Sequence, residues 1–301
     1  MMVTPLAFGW EIKFRLACAE RRGDAYQELF AQIMERRDPS FQRVRPWGNV
    51  GDRKNDGWSP DRRVLFQCYA PSSMSVANLE AKLDDDYAGA IGYWQEHFDT
   101  WVFVHDDLDG LAPAVAKKIA ELNKKSTSVT CSAWGYAELR EEFALLDDAH
   151  RSAILGPALT PQDFLSVDAS ALVPLIAALG HMHADPAAEV APVPATKIEA
   201  NDLSAEQIAF LKLGASRAPL VESYLSNAFV LPSHVDAIAE AVSTRYRSFR
   251  DEGTPSSVVF DLLLAWMTGG GIDSKSVANG LAILAYFFER CHIFEMPGGA
   301  E

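Results

Sequence analysis

Three residues in the front half of the chain carry oxygen atoms of the kind that hold hard cations. Asp56 opens the short segment DGW (56–58). Gln67 sits inside VLFQCYA (64–70), between Phe66 and Cys68. Glu28 lies on AYQELFAQIMERR (25–37). Ten residues lie between Asp56 and Gln67, with a Ser59-Pro60-Asp61 turn among them. A hairpin of that length lays two strands side by side and lets both side chains face one cleft. Glu28, on the helix before the strands, could reach the same point. Carboxylates, an amide oxygen and water are what Mg²⁺ accepts. Such a cation lowers the pKa of a bound water and offsets charge building on a phosphoryl group.

The elements that must position these groups are legible from periodicity. Residues 11–22 and 25–37 have apolar positions at helical spacing, separated by Gly23-Asp24 and closed by Asp38-Pro39. FQRVRPW (41–47), DGW and 63–70 read as strands. Residues 76–98 read as a helix, interrupted between Gly89 and Gly92. WVFVH (101–105) is a buried strand, 112–125 a helix, TSVTCSAW (127–134) a strand and 135–146 a helix. Hairpin-linked strands followed by crossover-linked ones predict an α/β fold with a mixed sheet flanked by helices. Helical positions start again at Thr160-Pro161 and run to about His183. A Pro/Ala-rich linker (184–202) follows. Ser204 and Gln207 form a capping-box pattern that opens an all-helical tail, 204–214, 217–228, 232–250, 255–267 and 274–291. The expected division is 1–155, a helical segment and linker over 156–203, and an acidic helical domain over 204–301.

The chain has 301 residues, 49% of them apolar, enough for a sizeable core. Its net charge is −14, unevenly spread. Residues 1–125 hold 17 basic against 19 acidic residues, and the rest hold 10 against 22. Around GNVGDRKNDGW (48–58) the balance turns positive. Arg36, Arg37, Arg43, Arg45, Arg53, Lys54, Arg62 and Arg63 face Asp38, Asp52, Asp56 and Asp61, a local +4. Such a patch can hold a phosphate backbone within an acidic protein; it also reads as a solvated hairpin face. The Gly-rich stretch is itself ordinary turn chemistry, since Gly and Asn accept positive φ. No basic start precedes an apolar run at the N-terminus, and the longest apolar runs fall far short of about 20 residues. The expected setting is cytoplasmic, with no membrane contact. Four cysteines without a CxxC spacing read as idle thiols. His105-Asp106-Asp107 reads as a polar βα loop, with cation binding as the sharper alternative. His181 and His183 read as surface residues. Trp47, Trp58 and Tyr69 could stack on bases or pack the hairpin. The absence of GxxxxGK[ST] leaves out nucleotide hydrolysis by a P-loop.

The order helix-Glu, hairpin-Asp, strand-Gln resembles the PD-(D/E)XK nuclease fold. GNVGDRKNDG and FQCY are similar to the Mrr-type pattern, GGDGGIDG followed by a strand carrying QxK. The longer string AYQELFAQIM, FQRVRPWGNVGDRKNDGW, VLFQCYAP and WVFVH, with LAILAYFFERCHIFEMP at the end, looks closer still to one group. These are the nuclease-like proteins of ABC three-component (Lamassu-type) bacterial defence systems. The resemblance implies a DNA endonuclease effector without strong sequence specificity, using Mg²⁺ or Mn²⁺ held by Glu28, Asp56 and Gln67. Asp52 would add a ligand or hold the turn. Arg43, Arg45, Arg53, Lys54, Arg62 and Arg63 would position DNA. The family's lysine belongs two residues after the glutamine, where this chain has Tyr69. Some nucleases of this fold carry that lysine on the adjacent helix, which points to Lys82, with Lys54 behind it. The resemblance further implies an SMC-like ATPase and a smaller subunit as partners, and leaves self-association open. The alternative is a catalytically degenerate nuclease fold that binds DNA or joins subunits. Lys82 would then pair with Asp85 or Asp86 along its helix.

Overall fold

A computed structural model describes residues 8–44, 55–71, 76–126, 128–165, 167, 172, 175–176, 201–226, 232–290 and 293–294. Asp52, Arg45, Arg53, Lys54, Trp47, His181 and His183 lie outside these residues, as do positions 184–200 of the 184–202 linker.

The described residues cluster into two compact units. One is Arg21–Ile154; the other joins the first helix to the chain from Leu155 onward. The first unit is α/β, as its alternating patterns predict. Helix α2 (Asp24–Arg37) buries Tyr26, Leu29, Phe30, Ile33 and Met34, the i, i+3, i+4, i+7, i+8 stripe of a helix laid on a sheet. Three strands follow: β1 (Gln42–Arg43), β2 (Gly57–Ser59) and β3 (Val64–Tyr69). Then come α3 (Val76–Trp94), β4 (Thr100–His105), α4 (Pro113–Lys125), β5 (Thr130–Trp134), α5 (Tyr136–Ala144) and α6 (Asp148–Leu155). Strand order is β1-β2-β3-β4-β5. The β1–β2 and β2–β3 pairs are antiparallel, β3–β4 and β4–β5 parallel. Helix α3 runs unbroken through Gly89, where the sequence predicts an interruption. Leu79, Leu83 and Ala90 bury against the sheet, and this packing offsets the roughly 1 kcal/mol cost of a mid-helix glycine.

Strand alternation divides the sheet into two faces. Leu65, Trp101, Phe103 and Cys131 pack with Leu83 of α3 and Val115, Ile119 and Leu122 of α4. On the other face Phe66 meets Phe30 of α2, ring centroids 5.3 Å apart, and Trp134 at 5.2 Å. Gly57 is needed there, because a Cβ would lie 2.5 Å from the Phe41 ring.

The second unit is helical. It holds α1 (Phe8–Glu20), α7 (Pro161–Leu165), α8 (Ala205–Ala215), α9 (Ala218–Leu225), α10 (Pro232–Asp251), α11 (Ser256–Thr268) and α12 (Ser274–Glu289). The capping box read from Ser204 and Gln207 starts α8, with reciprocal bonds of 3.2 and 3.1 Å. Helix α12 is buried on most sides and comes close to α8, where a Cβ on Gly214 would lie 2.3 Å from the Leu281 carbonyl oxygen. Helix α1, which the sequence groups with 1–155, packs here. Arg15 donates from Nη2 to Oδ2 of Asp261 at 2.5 Å, and Gln207 Nε2 donates to Oδ1 at 3.2 Å. Helical periodicity shows that α1 has an apolar face and says nothing about which unit covers it.

Candidate site at the β2–β3 fork

Asp56 lies where β2 leaves β3. Its backbone N–H still donates to the Phe66 carbonyl at 2.9 Å. Its carboxylate then takes over from the strand. Oδ2 accepts the Cys68 backbone N–H at 2.7 Å, and Oδ1 accepts Nε2 of Gln27 at 2.5 Å. Burial, and then the Asp56 charge, push the Cys68 thiol well above its ordinary value. That thiol stays protonated and is not a nucleophile.

Glu28 stands elsewhere. Half-exposed, it pairs with Arg43, which also reaches Glu35 at 3.0 Å. The α2 residue on Asp56 is Gln27. Its signal was in the periodicity: position 27 shares a stripe with buried Phe30 and Met34, whereas 28 shares one with Gln32, whose amide donates to it at 2.8 Å.

Gln67 is 6% exposed on the opposite sheet face from Cys68. Its Nε2 makes a long 3.4 Å bond to the Cys68 carbonyl. Its Oε1 is buried and has no hydrogen-bond partner among the described residues. Tyr69 follows on the same face, its ring 6.1 Å from Phe103. Lys82 reaches down from α3 and places its ammonium 5.5 Å from the Tyr69 ring centroid. The same ammonium donates to Oδ1 of fully buried Asp86 at 2.5 Å, the i,i+4 pairing anticipated as the bland alternative. Tyr69 therefore does not leave this face without a cation. The lysine comes from the neighbouring helix and lies over the ring that stands at the expected lysine position.

The donors suit Mg²⁺ in kind. A buried amide oxygen without a partner is costly, about 1–3 kcal/mol, and a cation or ordered water would satisfy it. Asp56 and Gln67 would be the protein oxygens, the remaining positions being filled by water. Among the described residues no three His, Cys, Asp or Glu side chains gather as a metal cluster.

The described basic residues near the fork, Arg43, Arg62 and Arg63, are engaged with carboxylates. Arg62 faces Asp38 at 3.3 Å and Glu142 at 3.4 Å, and Arg63 holds Asp99 at 2.6 Å. Exposed pairs of the Arg43–Glu28 kind contribute about 0–1 kcal/mol, so a phosphate could displace the carboxylate at little cost.

Beyond the fork, the helical unit carries the family signal. Residues 170–295 match the family described as C-terminal domain 10 of the ABC-three component (ABC-3C) systems. The match supports membership of an ABC-three component system. It spans α8 to α12 and leaves out α1, the helix held to this C-terminal domain by the Arg15–Asp261 pair. Comparison with curated proteins gave no match. Comparison with solved structures gave none. Among the described residues no helix is long and apolar enough to cross a membrane.

Proposed function

We propose that the α/β unit is a metal-dependent DNA endonuclease, the effector of an ABC-three component defence system. The observation that carries this reading is Lys82 over Tyr69, on the strand face of Gln67. An ammonium there supplies what a strand-borne lysine would: a positive charge beside the phosphate and a donor to orient the attacking water. Mg²⁺ or Mn²⁺, when bound, lowers the pKa of that water and offsets the charge on the phosphoryl oxygens. Asp56 and Gln67 hold the ion, and Glu28 adds a carboxylate once Arg43 turns to DNA. Arg43, Arg62 and Arg63 bind the sugar-phosphate backbone without reading bases. The C-terminal helical domain docks on the other subunits, among them an SMC-like ATPase that supplies energy from nucleotide.

Plasmid cleavage by the full chain with Mg²⁺ or Mn²⁺, beside Asp56→Ala and Lys82→Ala, tests the reading. Cleavage lost in both variants is the expected result. Cleavage that survives Lys82→Ala removes the lysine from the mechanism.

A second reading has its own support. The Asp56 carboxylate already accepts two bonds, and Glu28 is paired with Arg43. Those contacts suit a nuclease fold that binds DNA or joins subunits without cutting. DNA binding without cleavage, with the partner ATPase present, would decide for it.

A further inference from the structure

Strand β5 ends the sheet, so among the described residues no strand lies along its outer edge. The backbone groups of a strand point to alternate sides, residue by residue. Thr130 turns inward: its N–H donates to the Asp99 carbonyl at 2.9 Å, next to the start of β4. Ser132 and Trp134 share that direction. Cys131 and Ala133, with Val129 and Gly135 flanking the strand, therefore aim their backbone groups outward. An open edge of this kind is a template for another strand, and a second copy of the chain carries the same edge.

Side chains occupy most of it. Asn123, in the last turn of α4, lays its carboxamide against Cys131. Oδ1 accepts the Cys131 N–H at 2.6 Å, and Nδ2 donates to the Cys131 carbonyl at 2.8 Å. A residue of a neighbouring antiparallel strand would exchange the same two bonds. The helix rotation that brings this about is set one residue earlier. Leu122 packs into the sheet core, and a step of about 100° carries the next side chain to the strand edge. Two further caps flank this one. Ser126 Oγ accepts the Val129 N–H at 2.9 Å. Glu138 Oε2 accepts the Gly135 N–H at 2.9 Å, and the Gly135 carbonyl accepts the Leu139 N–H at 3.2 Å.

Ala133 has no such cap among the described residues. It is a single rung with occupied positions on both sides, too short a run to seat a strand. We propose that Asn123 closes the β5 edge to strand addition by a second copy of this chain. Without the carboxamide, the Cys131 and Ala133 rungs join into one run that pairs with its own copy across a two-fold axis. The opposite edge of the sheet has less to offer, since β1 spans only Gln42 and Arg43. The proposal goes beyond the nuclease reading and does not depend on it.

The first arm of the test uses the wild-type full chain and reads the hydrogen exchange of single amides by NMR. The Cys131 amide is expected to exchange slowly although it stands at a sheet edge, and the Ala133 amide quickly. Equal protection of the two overturns the cap. The second arm measures mass by light scattering after gel filtration, over a range of concentrations, for full-length variants that keep the wild-type circular dichroism. The mass of Asn123→Ala is expected to rise with concentration above that of wild type. Asn123→Gln, whose longer stem moves the carboxamide off the backbone pair, takes its place if the alanine variant loses ellipticity. Adding Ala133→Pro removes the N–H of the remaining rung, at an outward position where an edge strand tolerates proline. The mass should then return to that of wild type. A position-123 variant with the wild-type mass at every concentration overturns the proposal. So does excess mass that survives Ala133→Pro.

Discussion

Lys82 holds two positions at once, over the Tyr69 ring and against the buried Asp86 carboxylate. Its structural role and its proposed catalytic role can therefore be separated by experiment. Lys82→Ala removes a charged donor from a buried acceptor and should cost about 1–3 kcal/mol, read as a lowered urea midpoint. Lys82→Ala with Asp86→Asn should recover part of that midpoint and none of the cleavage. Recovery of both would make the lysine a structural residue only. His105 gives a second expectation at this scale. Its folded pKa is depressed below the ordinary 6.5 by burial, so the unfolded chain binds its proton first. The stability it contributes is present above about pH 6.5 and is lost as pH falls toward the folded value. Denaturant midpoints measured between pH 7 and 5 should fall in wild type and fall less in His105→Gln. Parallel pH profiles would remove His105 as the cause.

At the scale of elements, β2 and β3 are held open by one side chain. Asp56 caps the Cys68 amide where β2 no longer pairs with it, and Gly57 lets the Phe41 ring close over the strand. Gly57→Ala should cost about 1–3 kcal/mol by overpacking and should lower cleavage with it, because Asp56 is the residue immediately before β2. Thermal unfolding and plasmid cleavage check both. An unchanged midpoint would mean that the Phe41 ring swings aside freely. Helix α3 presents a different case. Its apolar face is fixed by Leu79 and Leu83 in the sheet core, which sets the helix rotation and so the direction in which Lys82 reaches.

At the scale of the molecule, the helical unit draws on both ends of the sequence. Asp261 is buried, and burial raises its pKa against the pull of Arg15. Arg15→Ala leaves that carboxylate without its cation and should destabilise the unit by about 3–5 kcal/mol. Arg15→Met with Asp261→Leu should be close to neutral. For the same reason a fragment of residues 155–301 should fold poorly alone and gain helicity when a peptide of residues 7–20 is added, as circular dichroism would show. A stable fragment without the peptide would make α1 dispensable.

The sequence by itself determined the element order, the mixed sheet and the helical tail, because helix and strand periods are local properties. It also marked Asp56, Gln67 and Lys82 as groups worth placing. Its reading of α3 as interrupted put too much weight on a local glycine. What it could not resolve were matters of phase and partner. Gln27 reaches Asp56 while Glu28 turns to Arg43, since one residue along a helix rotates a side chain by about 100°. His105 read as part of a polar loop, because only the β3–β4 register sets it beside Tyr69. Helix α1 was drawn from the first unit to the second by a carboxylate some 246 residues away. Each of these was decided by contacts between segments far apart in the chain, and the local pattern carries no record of them.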